Sequence, residues 1–185
     1  MLNHQGTLRI ETDKLILRRF EKSDTEDMFN NWANDSEVTK YLSWPTHADV
    51  SVSSHVVNDW IQSYKNDEFY HWAIELKNSG DIIGGITVVN HSNLNEHCEI
   101  GYCIGRDYWG QGNTTGALIA VIDFLFDKVG FQRVGALHHI ENTASGKVML
   151  KAGMKYEGLR RKYLKNKHGE IVDCESYAII SDDHE

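Results

Sequence analysis

Proline is nearly missing from this sequence. Pro45 is the only one among 185 residues, and no Pro-rich linker or low-complexity tract interrupts the chain. Cysteine is scarce as well. Cys98, Cys103 and Cys174 are odd in number and nowhere spaced C-x-x-C, which argues against a disulfide framework or a zinc knuckle and for reduced thiols in a core. Long hydrophobic runs are missing too. The apolar stretch Ala117 to Ile122, in the middle of the chain, ends at Asp123, far short of the roughly 20 residues that cross a bilayer. The opening residues Met1 to Gly6 have neither a basic start nor an apolar stretch, so no secretory signal is expected and a cytoplasmic location is. Basic charge is in deficit, with 19 Lys and Arg against 27 Asp and Glu and a formal net charge of −8. A large basic face for nucleic acid is therefore not expected, and no membrane partner is either. A cationic amine would be drawn in by the same field.

What is present is the composition of a folded protein: 41% hydrophobic and 25% charged residues, close to the globular average. The length is that of one ordinary domain, so residues 1–185 are expected to form a single unit. Thr7 to Phe20 reads as a strand through Leu8, Ile10, Leu15 and Leu17. Ser23, with Glu26 three residues on, has the form of a capping box, and a helix is expected to about Asn34. A second helix from about Asp49 carries Val52, Val56, Trp60, Ile61 and Tyr64 at helical spacing. The period then changes. Tyr70 to Leu76, Ile82 to Asn90 and Glu96 to Ile104 are β-branched or aromatic runs separated by turn residues, the pattern of an antiparallel meander. A glycine-rich loop follows, then an apolar helix from about Thr114 to Val129, a strand from Arg133 to Ile140 and a short helix from Asn142 to Ala152 that Gly153 would end. Lys155 to Leu164 and Ile171 to Ile180 form a closing hairpin. The fold class is α+β: a mixed, mostly antiparallel sheet of about seven strands with about four helices.

The loop Tyr108-Trp109-Gly110-Gln111-Gly112-Asn113-Thr114-Thr115-Gly116 lies between a strand and a helix start. There the first helical N–H groups have no internal partner and the helix dipole adds partial positive charge, which suits a pyrophosphate. A tight turn alone would use the same glycines. The spacing fits neither nucleotide motif: a dinucleotide fingerprint would need its third glycine one place before Gly116, and a P-loop would need Gly-Lys-Ser/Thr.

The motifs around this loop carry a family resemblance. Glu11 to Arg18, Val38 to Trp44, Ile82 to Ile86, Glu99 to Ile104 with Tyr108 to Gly112, Asn142 to Ser145 and Lys151 to Gly158 occur in one order over nearly the whole chain. In that order the sequence resembles the GNAT superfamily of acetyl-CoA-dependent N-acetyltransferases, and more narrowly its ribosomal-protein N-terminal acetyltransferase branch (the RimJ/RimL type). The resemblance implies that backbone amides at Gln111, Gly112, Asn113 and Thr114 hold the pyrophosphate of acetyl-CoA. It implies that the strand end at Cys103, Ile104 and Arg106 runs along the pantetheine arm, and that Asn142 contacts that arm while capping its helix. The chain departs from the branch after Gly112. Thr114 adds bulk where the branch keeps a small residue. Gly116 replaces a common glutamate and weakens the helix by roughly 1 kcal/mol relative to alanine.

Acetyl transfer needs a neutral amine. Deprotonating a peptide α-amine at pH 7 costs about 1 kcal/mol and a lysine side chain roughly 4 to 5 kcal/mol, so acceptors differ in how much help they need. Glu99, alternating with Gly101 and Cys103 on one strand face, is the candidate base, with a carboxylate paired to a neighbour as the alternative. Ser145, the serine of the family's Asn-x-x-Ser motif, is the candidate acid, with capping of its own helix as the alternative. Many members place a tyrosine acid further along this helix, where this chain has Met149. Trp44, Trp60, Tyr64 and Trp72 read first as core or rim residues, whereas the branch resemblance implies that the segment Tyr41 to Trp44 lies near the acceptor cleft and could wall it. Ten histidines raise the question of a metal, but His91 and His97 only bracket a turn and His138 and His139 face opposite ways on a strand, so no metal site is expected. The expected activity is direct acetyl transfer from acetyl-CoA to a protein N-terminus or a small amine. A non-catalytic acyl-CoA-binding module is the rival, and the closing strands are a candidate surface for a homodimer.

Overall fold

The computed structural model describes residues 1–184. Its strands are β1 (Ile10–Glu11), β2 (Leu15–Arg18), β3 (His71–Leu76), β4 (Ile82–Ser92), β5 (His97–Ile104), β6 (Arg133–His139), β7 (Lys155–Lys165) and β8 (Ile171–Ile180). The helices are α1 (Thr25–Met28), α2 (Val50–Ser63), α3 (Asn113–Phe124) and α4 (Thr143–Lys151), with widened turns continuing α1 through Ala33 and α3 through Val129. The strands form one sheet in the order β1-β2-β3-β4-β5-β6-β8-β7. Every neighbouring pair is antiparallel except β5 and β6, which run parallel because α3 carries the chain across between them.

Both faces of the sheet are covered, which is why Trp72 to Ile74 of β3 and Ile82 to Ile86 of β4 are apolar or glycine without alternation. On one face Trp72, Ile74, Ile86 and Ile100 pack against Leu118, Val121 and Ile122 of α3 and Met149 of α4. On the other, Ala73 and Ile82 pack against Met28, Trp32 and Val57 of the α1–α2 layer. The glycine pair in β4 answers a close approach. A Cβ at Gly84 would stand 2.2 Å from the Cys103 carbonyl oxygen, so β4 and β5 meet as they do only because position 84 has no side chain.

The meander, the closing hairpin and the helices stand close to where the sequence puts them. Two features differ at the N-terminal end. The expected single strand Thr7 to Phe20 is a hairpin, β1 and β2 in register Ile10↔Leu17, because the Thr12 hydroxyl accepts from the Leu15 N–H at 2.9 Å and turns the chain. The sheet therefore has eight strands. The expected Ser23–Glu26 capping box is not the cap that forms. A short 3-10 turn over Lys22–Asp24 precedes α1, with the Glu21 N–H donating to Asp24 Oδ2 at 2.8 Å. Asp24 takes that role because Arg18 draws it inward, donating to both carboxylate oxygens at 2.8 and 2.9 Å while its Nε donates to Glu75. A buried ion group of this kind is strongly destabilising to break because the remaining charge is stranded.

His71 sits among Phe20, Trp60 and Phe69, with its ring 4.1 Å from that of Trp60. Burial pushes its pKa down to about 3, from the 6.5 of a free histidine. The unfolded chain therefore takes up a proton near pH 6.5 that the folded chain refuses until about pH 3. Stability from this group is complete above pH 6.5 and is lost as pH falls through that window. Between pH 7.5 and 5.0 the loss should be about 2 kcal/mol in guanidinium denaturation, at 1.36 kcal/mol per pKa unit. In His71→Phe that part of the pH dependence should vanish. An equal pH dependence in both proteins would remove His71 as its source.

Candidate active site

The sheet parts in the middle. β5 pairs with β6 only over His97–Ile100 against Arg133–Ala136. Beyond that point β5 stays with β4, in the register Cys103↔Gly85 and Ile104↔Gly84, and β6 stays with β8. The edge of Gly101–Ile104 that faces β6 has no strand partner. The Ile104 carbonyl there accepts from the Trp109 indole N–H at 2.9 Å, and the other peptide groups of this edge are left for partners outside the sheet.

Two cavities meet at this split. The first, about 510 Å³, runs from Cys103 and Ile104 past Gly110, Gly112 and Thr114 to Asn142 and Ser145. The second, about 830 Å³, lies towards the α1–α2 layer. Tyr41, Leu42, Tyr102, Cys103, Asn142 and Ser145 line both.

The first cavity ends at the start of α3. Gly110 and Gly112 adopt φ +73° and +82°, left-handed angles that favour glycine, although a Cβ at either would meet open space. The turn they make, and not crowding, is what calls for glycine. The first backbone bond of the helix is Gly116 N–H to Gly112 O at 3.0 Å. The N–H groups from Gly110 through Thr115 donate to no backbone or side-chain acceptor among the described residues, and Gly112 offers no capping side chain. Lys147 and Lys151, one turn apart on α4, and Lys40 line the same cavity, as do Glu37 and Glu141. This is a donor-rich cradle for an anion, with lysines beside it.

Other expected cofactor residues take different places. Gln111 turns its side-chain amide to the Asp107 carbonyl at 2.8 Å, and Asn113 is buried, so each offers the cradle its backbone N–H. Arg106 is not brought to the cleft. Its guanidinium stands 3.0 Å from Asp35, half exposed, and it lines neither cavity. An arginine at a strand end reaches whichever carboxylate the next layer presents, and here that layer presents Asp35. Asn142 precedes α4 without a side-chain cap bond and lines both cavities.

Ser145 Oγ lies 2.8 Å from Tyr102 Oη, which is also 3.0 Å from the Ser145 carbonyl oxygen. The serine is engaged across the split, not in capping its own helix. Burial raises the Tyr102 pKa well above that of a free phenol, so the group is a protonated donor at neutral pH. Burial also pushes the Cys103 thiol up to about 12, which leaves it without nucleophilic thiolate. Tyr102 escaped the sequence reading because its place on β5 beside the core masks it as one more packed aromatic. The Lys147 and Lys151 pair had a signal, their i, i+4 spacing.

The second cavity is aromatic. Trp32, Trp44, Trp60, Phe69, Tyr41 and Tyr163 line it, and Glu99 is its one acidic side chain among the described residues. Glu99 is about one-fifth exposed and 3.4 Å from Arg160, whose guanidinium lies over the Tyr163 ring. Glu99 and Ser145 thus both face the second cavity, Ser145 at the seam and Glu99 within it.

The Tyr102–Ser145 bond has a measurable worth. Tyr102→Phe and Ser145→Ala should each cost about 1 kcal/mol in chemical denaturation, and the double variant should cost less than the sum, with coupling of about 0.5 to 1.5 kcal/mol. Strict additivity would show that the two hydroxyls do not share a bond in solution.

Comparison with known proteins agrees with this architecture. The family model for the acetyltransferase (GNAT) domain matches residues 14–155. An uncharacterized N-acetyltransferase of Bacillus subtilis, YoaA, is 29% identical over 171 residues, covering 92% of this chain and 96% of its own. The crystal structure of a GNAT-family acetyltransferase from Bacillus anthracis superposes with a TM-score of 0.81 at 26% identity, covering 96% of this chain and all of that one. The microcin C7 self-immunity acetyltransferase MccE, solved with acetyl-CoA and AMP, superposes with a TM-score of 0.82 at 21% identity over 91% of this chain and 93% of that one. With its parted mixed sheet and its glycine loop opening onto a helix start, the chain belongs to the GNAT acetyltransferase family.

Proposed function

We propose that this acetyltransferase moves the acetyl group of acetyl-CoA onto a primary amine carried by a compact, mostly apolar group. The observation that carries the reading is the junction of two unlike cavities at Tyr102, Cys103, Asn142 and Ser145. One holds a run of free N–H donors, and the other holds a single carboxylate among aromatic rings. Acetyl-CoA supplies an activated acyl thioester and an anionic pyrophosphate, and the complex of MccE with acetyl-CoA supports it as the co-substrate here.

Each group of the chain then has a task. The N–H groups of Gly110 to Thr115, with Gln111, Gly112, Asn113 and Thr114 at their centre, receive the pyrophosphate. The open edge at Cys103 and Ile104 receives the arm, and Asn142 supplies a free side-chain amide beside it. Arg106 has no task in this scheme. Glu99 takes the proton of the incoming ammonium, directly or through a water. The Tyr102–Ser145 pair presents an O–H towards the departing sulfur, the role that the residue at 149 cannot fill as methionine. Cys103, held as a thiol, forms no acyl intermediate, so the amine attacks directly.

The second cavity also selects. A polyamine would need several anionic partners there and would find one, whereas an apolar amine would bury its body against Trp44, Trp60 and Phe69. The α-amine of a protein N-terminus with an apolar first residue belongs to this class, in keeping with the resemblance to the RimJ/RimL branch.

The test is CoA release with a panel of amines. 2-Phenylethylamine and a peptide with phenylalanine first should exceed spermidine in kcat/KM by about tenfold or more. Glu99→Gln should lower the rate with the best amine by about 10²- to 10⁴-fold without changing acetyl-CoA affinity. A preference for spermidine would overturn the acceptor class. An undiminished rate in Glu99→Gln would remove Glu99 as the base.

A further inference from the structure

At the far end of the β4–β5 hairpin from the cleft, three side chains from separate parts of the chain converge. His4 comes from the N-terminal segment, Glu68 from the loop between α2 and β3, and His91 from β4. We propose that His4, Glu68 and His91 bind a divalent transition metal of the zinc class, which clamps these three segments together.

The donor set is that of a zinc-type site: two imidazoles and one carboxylate, with the fourth position left to water. Their ligand atoms all lie within 4.8 Å of one another. His91 Nε2 is 3.2 Å from Glu68 Oε2, and His4 Nε2 is 3.9 Å from Glu68 Oε1. Tetrahedral bonds of about 2.0 to 2.1 Å put donors roughly 3.4 Å apart, so small side-chain rotations bring all three onto one ion.

The surroundings support the ligands as an outer shell does. His4 Nδ1 is 2.8 Å from the Tyr70 hydroxyl, and a bond donated there by the ring leaves Nε2 with its lone pair free. The Asn93 amide donates to Glu68 Oε1 at 3.1 Å, while its oxygen accepts from His4 Nε2 at 3.1 Å in the metal-free protein; a metal would replace that partner as the ring proton moves to Nδ1, facing the Tyr70 hydroxyl oxygen. The Phe131 ring stands edge-on to both imidazoles and backs the site with an apolar wall. Two backbone bonds already seat the N-terminal segment here, Asn3 N–H to Val129 O at 2.8 Å and Gly6 N–H to Asp67 O at 2.7 Å. None of the three ligands lines either cavity, so this metal holds structure and takes no part in acetyl transfer.

The sequence concealed the site. His4 and His91 are far apart in the chain, and Glu68 stands between helix and strand in a stretch without ligand spacing.

The test uses the full chain stripped with a chelator and then titrated calorimetrically with ZnCl₂, with MgCl₂ as the hard-cation control. One equivalent of zinc should bind with a Kd of about 10 µM or tighter, magnesium should not bind, and the zinc-loaded protein should melt several degrees higher. CoCl₂ should give the visible absorption of a tetrahedral N/O site. His91→Gln and Glu68→Gln should each weaken zinc binding at least tenfold, as loss of one of three ligands requires. Their metal-free far-UV spectra should match the parent, which separates a lost ligand from a lost fold. Absence of stoichiometric zinc binding, or binding that survives both substitutions unchanged and so belongs to other histidines, would overturn the proposal.

Discussion

The parting of β5 from β6 after Ile100 and Ala136 is the constraint on which the rest of the structure depends. A parallel pair that ran on would satisfy its own peptide groups and leave a closed sheet. Here β4 holds β5 through a contact too close for any side chain at Gly84, and β8 holds β6 along its whole length. Beyond Ile100 and Ala136 each strand follows its outer neighbour, and the two part. The α3 crossover that makes the pair parallel also delivers its own N-terminus to the mouth of the gap. The split and the anion cradle are two consequences of one connection.

Burial then decides which groups near the gap carry charge. Tyr102 and Cys103 remain protonated and His71 remains neutral, each because the charged form would be stranded away from water. Glu99, one-fifth exposed and within 3.4 Å of Arg160, is the acidic group left facing the aromatic cavity. A neutral O–H donor at the seam of the two cavities and an acidic side chain within the aromatic one is the arrangement that the proposed transfer to an amine uses. The fold produces it by placing a tyrosine where strand meets helix and a glutamate three residues earlier on the same strand.

Much of this was legible in the sequence because it is local. Alternating apolar residues marked the meander, Gly110 and Gly112 marked the strand-to-helix turn, and Asp49 and Gly153 marked helix ends that stand where expected, Asp49 accepting from the Ser51 N–H and Gly153 at φ +86°. What could not be read depends on partners distant in the chain. Asp24 displaces Ser23 as the organiser of the α1 start because Arg18 pulls it inward. Arg106 turns to Asp35 because the layer above the strand end presents that carboxylate. Tyr102 meets Ser145 only once α4 has packed across the gap. His4, Glu68 and His91 meet only once the N-terminal segment docks beside the hairpin. Strand pairing, too, is invisible to any single window, so the gap between β5 and β6 lies beyond what periodicity shows.

The central claim is that the free N–H groups at the start of α3 and the open edge of β5 together receive acetyl-CoA. The most direct test compares the calorimetric affinity of acetyl-CoA with that of S-acetyl-pantetheine, which has the arm and thioester but no pyrophosphate. The account predicts one-to-one binding of acetyl-CoA and an affinity for the truncated thioester weaker by at least about a hundredfold, the equivalent of losing about 2.7 kcal/mol of charge-assisted bonds. Equal affinity for the two, or no binding of acetyl-CoA by calorimetry and by a second method, would contradict it.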